Sequence, residues 1–223
     1  QQHFIKSIKY SGNAVFDNDR LTSIMRTTIT GPIDADILKT DRKKILAEYG
    51  TIGYIYAEID TTHVFDEEDG YVNLTVSINE GDQYRLGRIN VQGNRNTKDK
   101  VIRRELRFYP EELFNSEEAK KAELRLVETR LFSEATITPQ GETPGVRDAL
   151  VEVKEAETTT VLFGVGVTSN SGVVGSISIE QRNFDLFDTP RTWKEFFKGR
   201  SFRGAGQTLR LTLEPGMEVN RGR

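Results

Sequence analysis

The sequence predicts an α+β protein built from two copies of a small domain, followed by antiparallel strands. The duplication is direct: Ile8, Gly12 and Asn13 recur as Ile89, Gly93 and Asn94, 81 positions later in the chain. After about residue 158 the helical pattern stops, and the chain continues as runs in which apolar and polar residues alternate. Together these two observations predict two α+β domains and a third region made only of β-strands.

Composition excludes several classes of function. The 31 basic and 34 acidic residues are mixed along the chain and give a net charge of −3, so no basic surface is expected to attract nucleic acid. The chain has no cysteine, which excludes thiol catalysis, disulfides and cysteine metal sites. No run of 18 apolar residues is present, so a transmembrane helix is not expected.

Each copy of the repeat follows the order β-α-α-β-β. The first strand stops at Gly12-Asn13 or Gly93-Asn94, two residue types that tolerate a positive φ and suit a tight exit from a strand. Apolar spacing then predicts two helices and a closing hairpin in each copy. The expected hairpin strands are 57–64 with 72–80 in the first copy and 135–139 with 149–155 in the second.

The second helix of each copy has the clearer pattern. In the first copy it is predicted from about Asp41 to Tyr49. In the second copy Ser116 is the expected N-cap. The expected buried stripe of that helix consists of Ala119, Leu124, Val127 and Leu131.

This element order, with Gly-Asn after the first strand and an aromatic residue near the end of the second helix, resembles the POTRA domain. The resemblance covers residues 4–157 and implies two POTRA domains, at 4–80 and 82–157. The closing alternations Leu74-Val76-Ile78 and Ala149-Val151-Val153 also appear in both copies, which makes the similarity specific.

Three alternating segments follow, at 159–167, 173–180 and 207–214. Periodicity alone fits two structures equally: a membrane barrel with an apolar outside and a wet lumen, or a soluble sandwich with one wet face. Coming after POTRA-like repeats, Gly164-Val165-Gly166-Val167 and the later run 181–187 (QRNFDLF) are similar to the start of an Omp85-superfamily barrel. The resemblance to BamA-like assembly factors of that superfamily implies that 159–223 hold the first strands of an incomplete barrel.

Residues 187–203 depart from the family pattern as an insertion between two strands. Within it, Trp193, Phe196 and Phe197 fall on one side of a short predicted helix that begins at Thr192. We expect this helix at the membrane interface, where tryptophan is favoured. Packing of the aromatic side chains on the second POTRA-like domain or at the lumen rim is the equal alternative.

No catalytic set is recognisable. His3 and His63 have no partner at metal-ligand spacing, and the acidic run 66–69 lacks the spacing of a calcium loop. No nucleophile and base are paired in the sequence. We therefore expect no enzyme activity, no metal site and no cofactor.

What the resemblance implies is a factor that binds unfolded outer-membrane proteins in the periplasm and helps to insert them into the outer membrane. Its implied partners are these clients, accessory lipoproteins and outer-membrane lipid. Clients would pair with edge strands, and the first barrel strand would form a lateral seam. The implied residues are Ala57, Ile59, Thr61, His63, Ala135 and Ile137 for client binding and Leu162, Gly164 and Gly166 for the seam. A two-partner secretion transporter and a soluble periplasmic POTRA scaffold are the alternatives.

Overall fold

The computed structural model describes residues 3–65, 70–168, 172–189, 192 and 201–213. They form three three-stranded sheets, with strand orders β1-β3-β2, β4-β6-β5 and β7-β8-β9. The first repeat consists of β1 Phe4–Ser11, α1 Asn18–Ile24, α2 Ala35–Thr51, β2 Glu58–Phe65 and β3 Tyr71–Asn79. The second consists of β4 Arg85–Gln92, α3 Asp99–Leu106, α4 Ser116–Glu128, β5 Phe132–Gln140 and β6 Val146–Glu155. The third sheet consists of β7 Thr159–Thr168, β8 Gly172–Phe184 and β9 Gln207–Leu213.

The core of the first repeat lies between the helices and one face of the sheet. β3 is central, parallel to β1 and antiparallel to β2. Because side chains alternate along a strand, Leu74, Val76 and Ile78 of β3 all turn to the same face, where they are buried with Ile45 and Tyr49 of α2. The arrangement leaves β1 and β2 as the two edges of this sheet.

Helix α2 is longer than predicted. It begins at Ala35 rather than near Asp41, because the side chain of Asp34 caps it by accepting hydrogen bonds from the N–H groups of Asp36 and Ile37. Asp41 lies inside the helix and is buried. Its carboxylate accepts from the N–H groups of Arg26 and Thr27, which ties α2 to the end of α1.

Helix α4 corrects two further expectations. The cap is Asn115 rather than Ser116, since the Asn115 side chain accepts from the N–H of Glu118. The buried stripe was also wrong in part: Leu124 and Val127 are exposed, Ala119 is buried as expected, and Leu131 is buried but lies after the end of the helix at Glu128. The remaining buried apolar positions of the helix are Ala122 and Leu126.

The third sheet is antiparallel throughout. β7 pairs with β8 from Thr159↔Gln181 to Thr168↔Gly172, and β8 pairs with β9 from Ile177↔Leu213 to Phe184↔Gln207. β7 and β9 are therefore the outer strands of the sheet.

The described residues divide into two compact units, one within 1–90, 108–121 and 138–149, the other within 91–107, 122–137 and 150–223. The first repeat lies entirely in the first unit, and the third sheet lies entirely in the second. The second repeat contributes to both. Among the described residues, no helix is long and apolar enough to span a membrane.

Candidate functional site

The edge strand β2 presents backbone groups away from its neighbour β3. The N–H of Thr61 donates to Oδ1 of Asp60 at 2.9 Å, the kind of bond open to an amide on the free side of an edge strand. Amides alternate between the two sides of a strand, so Ile59 and His63 direct theirs the same way as Thr61. Ala57 lies one residue before β2, and its N–H donates to the carbonyl of Tyr54.

A groove of about 370 Å³ is lined by Arg42 of α2, by residues 58–60 of β2 and by residues 77–79 of the central strand β3. Its charged lining consists of Arg42, Glu58 and Asp60. The Arg42 side chain is exposed, and within the described part of the chain it has no ion-pair partner. The groove thus combines the Arg42 cation with the two acidic side chains of β2.

The edge strand of the second repeat is different. The N–H of Ile137 donates to Oε1 of Glu123 on α4 at 2.6 Å. Two residues further on, Pro139 has no N–H at all. Ala135 is half-buried in the same strand. The structure therefore brings Ala135 and Ile137 to a sheet edge, as predicted, but one of the edge amides is already bonded.

Each repeat has the same turn after its first strand. Gly12 has φ +82° and Gly93 has φ +92°, which confirms the positive φ predicted for these exits. A Cβ added to Gly12 would lie 2.1 Å from the carbonyl oxygen of Ile78, and one added to Gly93 would lie 1.9 Å from that of Val153. The backbone of the central strand therefore excludes any side chain at these positions.

The following asparagine connects the turn to the next helix in both repeats. Nδ2 of Asn13 donates to the carbonyl of Phe16 at 2.8 Å and to Oδ1 of Asn18 at 3.0 Å. Nδ2 of Asn94 makes the equivalent bonds to Thr97, at 3.0 Å, and to Asp99, at 2.8 Å. The repeated Gly-Asn is thus a repeated three-dimensional motif.

A glutamate that the sequence reasoning missed completes each turn. Oε1 of Glu80 accepts from the N–H groups of Ala14 and Val15, at 2.8 and 2.9 Å, and from the Tyr49 hydroxyl at 2.7 Å. Partial burial raises the pKa of Glu80, but these three hydrogen bonds to the charged form outweigh it, so the pKa lies below its ordinary value. In the second repeat Glu155 accepts from the N–H of Thr97 at 2.7 Å.

The third sheet has one apolar and one polar face. On the first, apolar side chains from all three strands are exposed; Phe163 and Val165 are 77% and 84% exposed. The apolar face consists of Val161, Phe163, Val165, Ile177, Ile179, Leu211 and Leu213. On the opposite face Glu180 pairs with Arg182 and Arg210, and the hydroxyls of Ser178 and Thr212 lie 3.2 Å apart.

The predicted seam residues lie on the outer strand β7, and they share the polar face. Leu162 pairs with Ser178 and Gly164 with Ser176. A Cβ on Gly164 would lie 2.4 Å from the hydroxyl of Ser176, whereas Gly166 has open space around it. Gly164 therefore has a packing reason to be glycine, and Gly166 has none among the described residues.

Comparison with known proteins identifies the repeat. The model of the POTRA family, described as "Surface antigen variable number repeat", matches residues 3–81 and 84–156. The chain belongs to the POTRA family. It is 30% identical over 169 residues to the outer membrane protein assembly factor BamA of Nitratidesulfovibrio vulgaris, covering 74% of this chain and 21% of that protein.

Two further BamA proteins are similar to this chain. The BamA of Neisseria meningitidis serogroup B is 26% identical over 145 residues, covering 64% of this chain and 18% of that protein. The crystal structure of BamA from Haemophilus ducreyi lacking POTRA domains 1–3 has a TM-score of 0.79 and 22% identity, covering 96% of this chain and 37% of that one. The tandem POTRA domains are therefore similar to those of BamA proteins. The chain spans about a fifth of the length of these curated relatives.

The second POTRA domain contacts the end of β8 through a buried polar cluster. Asn183 donates from Nδ2 to the hydroxyl of Thr97 at 2.9 Å and accepts at Oδ1 from the N–H of Gly206 at 2.9 Å. Next to it, the Lys98 ammonium pairs with the buried carboxylate of Asp185 and holds its pKa below the ordinary value. Asn183 and Asp185 of the predicted 181–187 motif therefore bond to residues of the turn in the second POTRA domain.

The remaining predicted sites give little chemistry. Trp193, Phe196 and Phe197 lie outside the described residues, as does the acidic run 66–69. In the first repeat, His3 and His63 both contact the ring of Phe65 edge-on. Within the described part of the chain, no three acidic, histidine or cysteine side chains are grouped to hold a metal ion.

Proposed function

We propose that this chain is part of an outer-membrane protein assembly factor that binds unfolded clients in the periplasm through the edges of its POTRA sheets. The observation that carries the proposal is the position of β2 at the edge of its sheet, with outward amides at Ile59, Thr61 and His63. An extended chain can add to such an edge by main-chain hydrogen bonds, which do not depend on its sequence. That property suits a factor with many different clients.

The third sheet supports a membrane location for the region after residue 158. Large apolar side chains exposed over a whole sheet face are a liability in water, and lipid would remove it. The opposite face carries Arg210 paired with Glu180, which suits a wet lumen. These strands are therefore proposed to begin a membrane barrel over 159–223, with the POTRA domains at 4–80 and 82–157 in the periplasm.

Two further parts of the proposal concern partners. β7 is an outer strand of its sheet and carries Gly164 and Gly166, which supports a role as one side of a lateral seam. Outer-membrane lipid would contact the apolar face. Accessory lipoproteins are proposed as partners on the BamA likeness alone.

The test is to delete one outward amide while leaving the fold intact. Thr61→Pro removes the N–H that bonds Asp60, on the side of β2 away from β3. The matched control Thr61→Ala removes the side chain and keeps the amide. In the full-length protein, we expect Thr61→Pro to reduce photocrosslinking of β2 to a denatured outer-membrane protein, and Thr61→Ala to leave it unchanged. Unchanged crosslinking in a folded Thr61→Pro protein would rule out main-chain pairing at this edge.

A further inference from the structure

The two POTRA domains present unlike edges to a client. We infer that an extended client chain adds to β2 of the first domain and not to β5 of the second, and that Arg42 binds a carboxylate of that chain. The inference rests on the proposed function and specifies where, and with what chemistry, it takes place. It follows from comparing equivalent positions of the two repeats.

The helices α2 and α4 align residue by residue. Their caps, Asp34 and Asn115, are 81 positions apart, the same offset as the Gly-Asn turns. The buried pair Ile45 and Leu126 follows the same offset. The position of Glu123 in the second repeat is therefore that of Arg42 in the first, and the charge is reversed.

The edge strands align with an offset of 78. Ile59 and Ile137 are both buried. Two residues after them, β2 has Thr61 and β5 has Pro139. Proline is tolerated in a sheet where its missing N–H would face solvent. Its presence at this position agrees with the outward amide of Thr61.

The β5 edge lacks two consecutive outward donors. The N–H of Ile137 is bonded to Glu123, and Pro139 has none to offer. An added strand takes a hydrogen bond at every second residue, so a client pairing here would lose two in a row. Glu123 is half-buried on the helix, where it takes the place that a client carbonyl would need. Residues of the second domain thus prevent a client strand from pairing with β5.

The β2 edge is open at the same positions. The corresponding helix residue, Arg42, lines a groove of about 370 Å³ instead of bonding the strand. Asp60, which holds the Thr61 amide, is an exposed residue of the strand itself and can turn away when a client arrives. In the second repeat the carboxylate of Glu123, from the same domain, accepts a hydrogen bond from the edge strand at this position. In the first repeat the helix places the Arg42 cation there. Glu58 and Asp60 line the same groove, but within the described part of the chain neither forms an ion pair with Arg42, so the complementary group on a client is a carboxylate.

Crosslinking at both edges of the full-length protein tests the closure. A photoreactive residue is placed at exposed Glu58 of β2 or at exposed Thr136 of β5, which are equivalent positions, and a denatured outer-membrane protein is the probe. We expect about tenfold less crosslinking at Thr136, because two hydrogen bonds are missing there. The double variant Glu123→Ala, Pro139→Thr should bring crosslinking at Thr136 to within about twofold of that at Glu58. Glu123→Gln is the matched control, since its amide oxygen can still accept from Ile137 and keeps the edge closed.

The outcomes separate the two proposals. Equal crosslinking at both positions in the unmodified protein overturns the inference and leaves strand addition standing. No crosslinking at either position overturns strand addition itself. The comparison in the unmodified protein does not depend on any variant folding, and circular dichroism checks those that are made.

A binding measurement tests Arg42. Arg42→Met keeps an unbranched, flexible side chain and removes the charge, and it should weaken binding of a carboxylate-bearing client peptide about tenfold. One peptide is amidated at its C-terminus, and in another the acidic side chains are replaced by amides. If removing one of these peptide groups makes the unmodified protein and Arg42→Met bind with the same affinity, that group is the carboxylate that Arg42 contacts. If neither peptide change nor Arg42→Met alters affinity, the carboxylate contact is refuted.

Discussion

Replacement of Gly93 by alanine gives a quantitative test of the strand-exit turn. The substitution combines two costs, because Gly93 has φ +92° and a Cβ there would lie 1.9 Å from the carbonyl oxygen of Val153. Holding a non-glycine residue in this region costs about 1–3 kcal/mol. Relieving the overlap requires movement of the central strand, a further cost of about 1–3 kcal/mol by analogy with overpacked cores. The sum, about 2–6 kcal/mol, is comparable with the total stability of a small domain.

Gly145→Ala is the matched control within the same repeat. Gly145 also has a positive φ, +70°, but a Cβ there would meet nothing within 4 Å. It should therefore carry only the conformational cost of about 1–3 kcal/mol. The assay is urea unfolding of each variant, followed by circular dichroism and compared through the transition midpoints. If Gly93→Ala is no more destabilising than Gly145→Ala, the contact with Val153 does not constrain the turn and the reasoning fails.

Three further predictions concern other parts of the molecule. Phe163→Arg on the apolar face should destabilise the membrane-inserted protein by about 2–4 kcal/mol, whereas Leu162→Arg on the polar face should cost little; equal costs in lipid-vesicle unfolding would contradict the assignment of faces. The folded pKa of Glu80 is lowered, so its contribution to stability is complete above its ordinary pKa and disappears as the pH falls through the folded value. Glu80→Gln should therefore flatten the loss of stability below about pH 4.5, and an unchanged acid profile would argue against the hydrogen-bonded carboxylate. In the full-length protein in vesicles, Trp193 fluorescence should be blue-shifted and quenched by lipids brominated near the headgroup; quenching by aqueous iodide alone would reject the interfacial helix.

Much of the repeat could be predicted from sequence because its signals are local. The Gly-Asn turn needs two particular residue types side by side, and the structure confirms the positive φ at both Gly12 and Gly93. Alternation also located the strands of all three sheets, since the side-chain period of two is a property of each strand alone.

The missed features depend on partners that are distant in sequence. Glu80 bonds the N–H groups of Ala14 and Val15, and no local pattern marks an acid for that role. The stripe of α4 was misplaced because small residues such as Ala122 mark the buried side, while Leu124 and Val127 are exposed. The difference between the two edges depends on one helix position, Arg42 or Glu123, and one strand position, Thr61 or Pro139. The effect of the helix residue can be recognised only when the strand beside it is known.

The buried contact of Asn183 with Thr97 has a consequence for how the chain folds. Residues 159–213 supply the turn of the second POTRA domain with a hydrogen-bond partner for Thr97 and a counter-ion for Lys98. The third sheet and the turn of the second POTRA domain therefore stabilise each other. The sequence pattern changes at residue 158, but the cooperative folding unit continues past it. We expect amide hydrogen exchange at the Asn94–Thr97 turn to slow only once β8 has formed, so that formation of the third sheet stabilises the turn of the second POTRA domain.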